Sequence, residues 1–270
     1  KAPPKQLAQA LPKQQDPGTD KSTVRVDIRK LDDLIDMIGE LVITHSMIQQ
    51  NFTVQGQADR TLMRNFVQLS NITSGLQQTS TSLRMVPIKQ TFQRMSRLVR
   101  DLAKNAGKLV AIELQGEETE IDRNMVDEIY NPMVHMVRNS IDHGLERPEE
   151  RIALGKPEKG LISLKAYHRG GCIVIEITDD GRGLNKEKIR AKAVQNGLIQ
   201  DIDVLTDQEI YRLIFHPGLS TAEKVTDVSG RGVGMDVVKC AVEKLRGKTD
   251  IDSTFGQGTT ISLRFPLTMA

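Results

Sequence analysis

From Ile28 onward the apolar positions Ile28, Leu31, Ile35, Ile38 and Val42 alternate steps of three and four, and Leu34, Leu41 and Ile48 repeat every seven beside them. Steps of that size gather side chains on one side of an α-helix. Three apolar positions per heptad make a face wider than the seam of a two-stranded coiled coil, a width that suits a helical bundle. After a break near Gly56, Leu62, Leu69, Leu76 and Leu83 recur by sevens with Phe66 beside them, and this second helix should end before Pro87. A hairpin of two helices is too thin to bury both faces. Pairing two hairpins into a four-helix bundle buries them, which predicts a homodimer. Packing of the hairpin on the rest of its own chain is the alternative.

A third amphipathic helix, with Ile88, Phe92, Met95, Val99 and Leu102 on one side, precedes a strand at 108–114. The pattern then predicts a helix from Asp122 to His143 bent at Pro132, strands near 161–168 and 172–178, a helix near 186–196 and another from Thr206. A helix from Gly232 and strands near 248–253 and 259–265 complete the chain. Arg169-Gly170-Gly171 joins two alternating runs as a hairpin. Adjacent hairpin strands among helices imply a mixed sheet with helices on one face. The expected fold class is α+β: an N-terminal antiparallel helical hairpin forming a dimeric four-helix bundle, then an α/β sandwich.

Residues 1–22 are rich in proline and glutamine and poor in apolar side chains, so a linker tail is expected there, and the missing initiating methionine suggests a piece of something longer. Composition narrows the function. With 37 basic against 35 acidic residues, the chain lacks the clustered positive charge that nucleic acid requires. Its two cysteines fit no metal or redox spacing, in keeping with a reducing, cytoplasmic setting. No apolar run approaches the roughly eighteen residues of a bilayer span, which argues against membrane insertion. Aromatic residues make up 3% and tryptophan is absent, so the core should be aliphatic. Many of the 21 glycines fall late in the chain, in short spaced groups.

Those groups, and one helix, carry the candidate chemistry. His135, Arg138, Asn139, Asp142 and His143 fall at i, i+3, i+4, i+7 and i+8, one helical face, with Met133, Met136, Val137 and Ile141 on the other sides. A polar exposed face with two incidental histidines gives the same pattern. Mg²⁺ prefers oxygen ligands, and Asn139 can offer its amide oxygen while nucleotide phosphates fill other positions. Asp179-Asp180-Gly181-Arg182-Gly183 comes directly off an alternating apolar run. A carboxylate at a strand end can accept a hydrogen bond from an exocyclic amine such as that of adenine, and glycines let a flat base lie against backbone. An ordinary turn looks alike.

Gly230-Arg231-Gly232-Val233-Gly234-Met235-Asp236 opens an apolar helix whose free N–H groups suit phosphate. No strand runs into these glycines, so the dinucleotide fingerprint is not met, and no Walker sequence occurs. Residues 215–229 form a long segment without periodicity, the length of a mobile lid. Gly256-Gln257-Gly258-Thr259-Thr260 precedes the last strand.

In order and spacing these elements resemble the ATP-binding fold shared by histidine kinases, gyrase, a major heat-shock chaperone and MutL. H-x-x-R-N-x-x-D-H-G at 135–144, DDGRG at 179–183, FHPGLSTAEKVTDVSGRGVGMDVVK at 215–239 and GQGTTISLRFPLT at 256–268 are similar, over residues 24–270, to the bacterial chemotaxis histidine kinases, the CheA family. The resemblance implies a linker at 1–22, a dimerisation hairpin at 23–86 and an ATP-binding catalytic domain at 87–270. It implies that Asn139 ligates Mg²⁺ with His143 assisting, that Asp179 reads the adenine amine, and that Lys188 and Lys192 contact phosphate. Asp142, Gly181, Gly183, Ser220, Thr221, Gly230, Gly232, Gly234, Met235 and Thr259 complete the implied nucleotide site, and His135, Arg138 and Asn139 the catalytic set.

One helical turn before the metal asparagine, the hydrolases of this fold carry an acidic residue that activates water. Here His135 stands there, which implies a proton-transfer role suited to phosphorylating a histidine. The implied partners are a second copy, a separate phosphoacceptor histidine domain and, indirectly, response regulators, a coupling adaptor and chemoreceptors. The family's acceptor, docking and coupling domains are not in this stretch. His45 lacks the H-E-x-x-x-P context of an acceptor and falls in register with Leu31 and Ile38, as a bundle histidine does. The alternative function is a non-catalytic dimeric nucleotide-binding assembly module, and an ATP-driven clamp is disfavoured by His135.

Overall fold

The structure, a computed structural model, describes residues 27–55, 60–200, 204–217, 219 and 234–267. The expected tail at 1–22, the break at Gly56, most of the 215–229 segment, and Ser220, Thr221, Gly230 and Gly232 lie outside the described residues.

Helices α1 (Ile28–Gln55) and α2 (Arg60–Leu83) form the hairpin. The side chains buried between them are Ile38, His45, Thr73 and Ser80, with Leu31, Val42 and Phe66 half-buried alongside. The His45 and Phe66 rings lie 6.2 Å apart. The seam within the hairpin is therefore partly polar: His45 Nε2, Thr73 Oγ1 and Ser80 Oγ are buried without a hydrogen-bond partner. Apart from half-buried Leu62, the positions repeating every seven face outward instead. Leu34, Leu41, Ile48, Leu69 and Leu76 are each 37–42% exposed, and Leu83 more so. This stripe does not pack on the chain's own catalytic half.

The chain leaves α2 through Arg84 into β1 (Met85–Pro87), a short strand the sequence pattern does not reveal, which pairs antiparallel with β3 (Glu120–Asp122). Arg84 is a clamp at this junction. Its Nε donates to Asp122 Oδ2 at 2.7 Å, and its guanidinium lies 3.7 Å from Asp32 of α1.

Helix α3 (Lys89–Asn105) buries Phe92, Met95 and Val99, as its periodicity predicts. Strand β2 (Val110–Gln115) begins two residues later than expected. Helix α4 (Arg123–Asn139) is started by Asp122, whose side chain accepts from the Asn124 N–H. Pro132 sits buried inside α4 without ending it. The remaining elements are α5 (Pro148–Ala153), β4 (Gly160–Arg169), β5 (Cys172–Asp179), α6 (Lys186–Gln195), α7 (Asp207–Arg212), α8 (Met235–Lys244), β6 (Lys248–Thr254) and β7 (Gly258–Pro266). The pattern of apolar positions does not reveal α5, and α8 starts at Met235 rather than at Gly232.

The sheet order is β2-β4-β5-β7-β6, with β2 and β4 parallel and the other pairs antiparallel. It is the expected mixed sheet. Ile162, Leu164, Ile173, Ile175, Ile177, Leu263 and Phe265 face Phe92, Met95, Ile129, Met133, Met136 and Val242 in one mainly aliphatic core. The opposite face is polar, with Tyr167 donating to Glu176 at 2.7 Å. Burial of one face only is what makes β4 alternate so legibly in sequence.

Candidate functional site

The first part of the site is the end of α4. His135, Arg138 and Asn139 are half-buried on one face of α4. The α-helix stops at Asn139, and Ser140–Gly144 form a single π-helical turn closed by the Leu145 N–H on Ser140 O at 2.7 Å. The expected unbroken helix to His143 is corrected here. A π-turn holds more residues per revolution, so Asp142 and His143, both exposed, leave the i+7 and i+8 positions of the α-helical face. Single π-turns inside or after α-helices recur at functional sites. Lys108 holds this turn. Its Nζ donates to the carbonyls of Ile141, of Asp142 at 3.1 Å and of Leu145 at 2.8 Å. Burial lowers its pKa, and the nearby Arg182 lowers it further.

Asp179, the last residue of β5, is the second part, at 5% exposure. Oδ2 accepts from Ser140 Oγ at 2.9 Å and Oδ1 from the Gly181 N–H at 3.1 Å. Burial pushes the Asp179 carboxyl above its ordinary pKa, and the hydrogen bonds from Ser140, Gly181 and Thr259 oppose that push. Asp179 stands opposite Thr259 in the β5–β7 ladder. Two approaches here admit only glycine. A Cβ on Gly181 would lie 2.2 Å from Gly144 O, and one on Gly258, at φ +127°, 1.9 Å from Asp179 O. A carboxylate offers about four acceptor directions, and the three hydrogen bonds from Ser140, Gly181 and Thr259 leave one for a ligand's amine.

The start of α8 is the third part. Asn139 Nδ2 donates to Met235 Sδ at 2.9 Å, so the asparagine at the end of one helix touches the first residue of another. Gly234 caps α8 in an extended conformation, φ −83° and ψ −179°. Asp236 also lies in this first turn, a carboxylate that competes with an anion for the helix N-terminus. Thus the fold brings Asn139, Asp179, Gly181, Met235 and Thr259 to one end of the sheet. Gly183, at φ +66°, closes the turn after Asp179 against Thr254. Lys188, exposed, and Lys192, half-buried, stand on α6, whose main neighbours are α7 and the turn at 213–215. Among the described residues no three His, Cys, Asp or Glu side chains converge on a metal position. A cation here would depend on Asn139 together with oxygens of its ligand.

Sequence reasoning missed a buried ionic group behind Asp179. Arg151 of α5 is 1% exposed. Its NH1 and NH2 donate to Asp180 Oδ1 and Oδ2 at 3.1 and 2.7 Å, its NH1 to Glu146 Oε2 at 3.1 Å, and its Nε to Pro157 O at 2.7 Å. Lys156 Nζ donates to Glu146 Oε1 at 2.9 Å and to the carbonyls of Asp180 and Gly181 at 3.0 and 2.6 Å. Burial pushes Glu146 up, but Lys156, Arg151 and its own backbone outweigh that and hold its carboxyl below the ordinary value. In the sequence these residues sit in a charge-rich stretch that reads as a solvated loop.

Residues 128–269 match the family described as histidine kinase-, DNA gyrase B-, and HSP90-like ATPase, and residues 21–83 match the homodimeric domain of signal transducing histidine kinases. The chain is 46% identical to the chemotaxis protein CheA of Rhizobium meliloti over 92% of its own length and 33% of that protein. It is 47% identical to that of Klebsiella aerogenes over 94% of its length and 39% of that protein. Against that of Bacillus subtilis the figures are 42%, 99% and 41%. The chain therefore spans about a third to two fifths of the length of the curated relatives it matches. No described helix is long and apolar enough to cross a membrane.

Proposed function

Because the chain belongs to the histidine kinase-, DNA gyrase B-, and HSP90-like ATPase family, we propose that it is the dimerisation and catalytic core of a chemotaxis protein-histidine kinase, with a stem at 23–86 and an Mg-ATP-binding domain at 87–270. The observation that carries this reading is Asp179: a buried carboxylate at a strand end, held by Gly181 and by Ser140, the residue next to the Asn139 that touches Met235. The residues fit the nucleotide. Gly144, Gly181 and Gly258 keep the backbone close around Asp179 where a side chain would intrude, and the carboxylate keeps acceptor capacity for an exocyclic amine. ATP, when bound with Mg²⁺, supplies the γ-phosphoryl group.

The chain's own residues do the positioning. Asp179 accepts from the adenine amine, with Thr259 beside it on β7. Asn139 spends its Nδ2 on Met235, so its Oδ1 is the end a hard cation takes, and exposed His143 assists there. Arg138, Lys188 and Lys192 offer positive charge to phosphate, and Gly234 with the start of α8 offers N–H groups. Ser220, Thr221, Gly230 and Gly232 belong to the proposed lid and phosphate contacts, outside the described residues. His135, where the fold's hydrolases carry an acid, moves a proton for transfer to histidine.

The acceptor is a histidine on a separate domain. His45 is buried in the hairpin seam and is not presented to a nucleotide. The uncovered leucine stripe, together with the match to a homodimeric domain, supports a second copy as partner. The reading places the protein in the cytoplasm, signalling to response regulators and linked by an adaptor to chemoreceptors. Incubation with γ-labelled ATP and an isolated acceptor domain tests it. Labelled acceptor with this chain unlabelled is expected, and nucleotide binding without transfer would support a non-catalytic assembly module instead.

A further inference from the structure

We propose that Arg151 is a positioning residue for base recognition: by gripping Asp180 at two points it fixes the 179–181 turn and so aims the Asp179 carboxylate at a 6-amino purine. The inference rests on the nucleotide reading of Asp179 given above. The path of contacts is short. Arg151 holds both Asp180 carboxylate oxygens and, at 3.3 Å, the Asp180 carbonyl. Asp180 Oδ1 also accepts from the Leu161 N–H at 2.8 Å, which ties the turn to β4. Lys156 takes the carbonyls of Asp180 and Gly181. With both flanking peptide planes fixed, the Gly181 N–H is aimed at Asp179 Oδ1. Rotating the 180–181 peptide would withdraw that donor and leave Asp179 held by Ser140 and Thr259 alone.

An apolar cluster of similar volume would stabilise this region as well as four buried or half-buried charges do. What the charges add is direction. A planar guanidinium meets a carboxylate at two points and fixes its plane, whereas an ammonium meets it at one. The network therefore suits orienting the turn. Arg151 touches no substrate and acts through Asp180.

The test compares binding of ATP with that of purine riboside triphosphate, which lacks the 6-amino group, by calorimetry on the 270-residue chain in Mg²⁺. A charge-assisted hydrogen bond to the amine predicts that the unmodified chain prefers ATP by roughly tenfold or more. Arg151→Lys and Asp180→Asn, each checked for a cooperative melt, are expected to reduce that preference to about threefold or less while binding the analogue nearly as well as the unmodified chain does. If either folded variant loses stability but keeps the full preference, Arg151 is structural only and the inference falls. If the unmodified chain binds no ATP, or binds both ligands alike, the reading of Asp179 itself falls and takes the inference with it.

Discussion

Ser140 donates to Asp179 across 39 residues of sequence, from the first residue of the π-turn to the last of β5. That bond joins the helix carrying Asn139 to the strand carrying the base-reading carboxylate, and it opposes the rise that burial imposes on Asp179.

Ser140→Ala removes a bond that lowers the Asp179 pKa, so the carboxyl moves further up. Only the ionised form accepts from an amine on both oxygens. ATP affinity is expected to fall as pH falls through the Asp179 pKa, and in the variant that fall begins at higher pH. Titration calorimetry over a pH series reads the shift, with affinity at neutral pH reduced about five- to tenfold. Identical pH profiles would sink the assignment.

Asp179→Asn should bind ATP poorly yet melt higher. A carboxyl raised by burial destabilises the folded state wherever it is ionised, and stability is regained as pH falls through the folded pKa toward the unfolded one. The amide keeps the bonds to Gly181 and Ser140, since its oxygen accepts from Gly181 and its nitrogen can donate to a reversed Ser140 hydroxyl. A gain of about 1 kcal/mol at neutral pH, shrinking toward acid, is expected in urea titrations.

Gly258→Ala puts a methyl 1.9 Å from Asp179 O at φ +127°. Backbone must move, and the β5–β7 register beside the site moves with it. A loss of roughly 2 kcal/mol or more is expected. Gly170→Ala, at φ +58° with open space around it, should cost about 1 kcal/mol and leave nucleotide binding unchanged.

Arg84→Ala strands the Asp122 carboxylate, which is buried, beside β1 and β3. Asp122 also starts α4. Denaturant unfolding of the catalytic half should lose about 2–3 kcal/mol. A neutral result would show that solvent replaces the guanidinium at no cost.

Leu41→Glu combined with Leu76→Glu puts charge into the outward stripe. Sedimentation should report a monomer where the unmodified chain is a dimer, with the melting of the catalytic half unaltered. Persistence of the dimer would place the interface elsewhere.

Much of this was legible in sequence where one periodic face carries the burial. Phe92, Met95 and Val99 on α3 and the alternation of β4 and β5 announce themselves because each has one dry side. The glycines around Asp179 were legible for a different reason: the close approaches at Gly181 and Gly258 permit no side chain. Three features were not legible. The π-turn at Ser140–Gly144 depends on Lys108, distant in sequence, capping its carbonyls. The Arg151 group is assembled from charges that look solvated until β4 and the 179–181 turn close over them. In the stem, periodicity marked the apolar positions but not which of them face the other helix of the same hairpin, because Thr73 and Ser80 occupy that seam.

That seam has a thermodynamic consequence. With polar atoms buried inside each hairpin and leucines left on its outer side, pairing of two stems would create most of their favourable burial between molecules and little within one. Mass action then governs it. Dilution is then expected to melt the stem while the catalytic half, whose core is its own, stays folded, so protein concentration would be a variable of this fold in the way temperature is for a monomer.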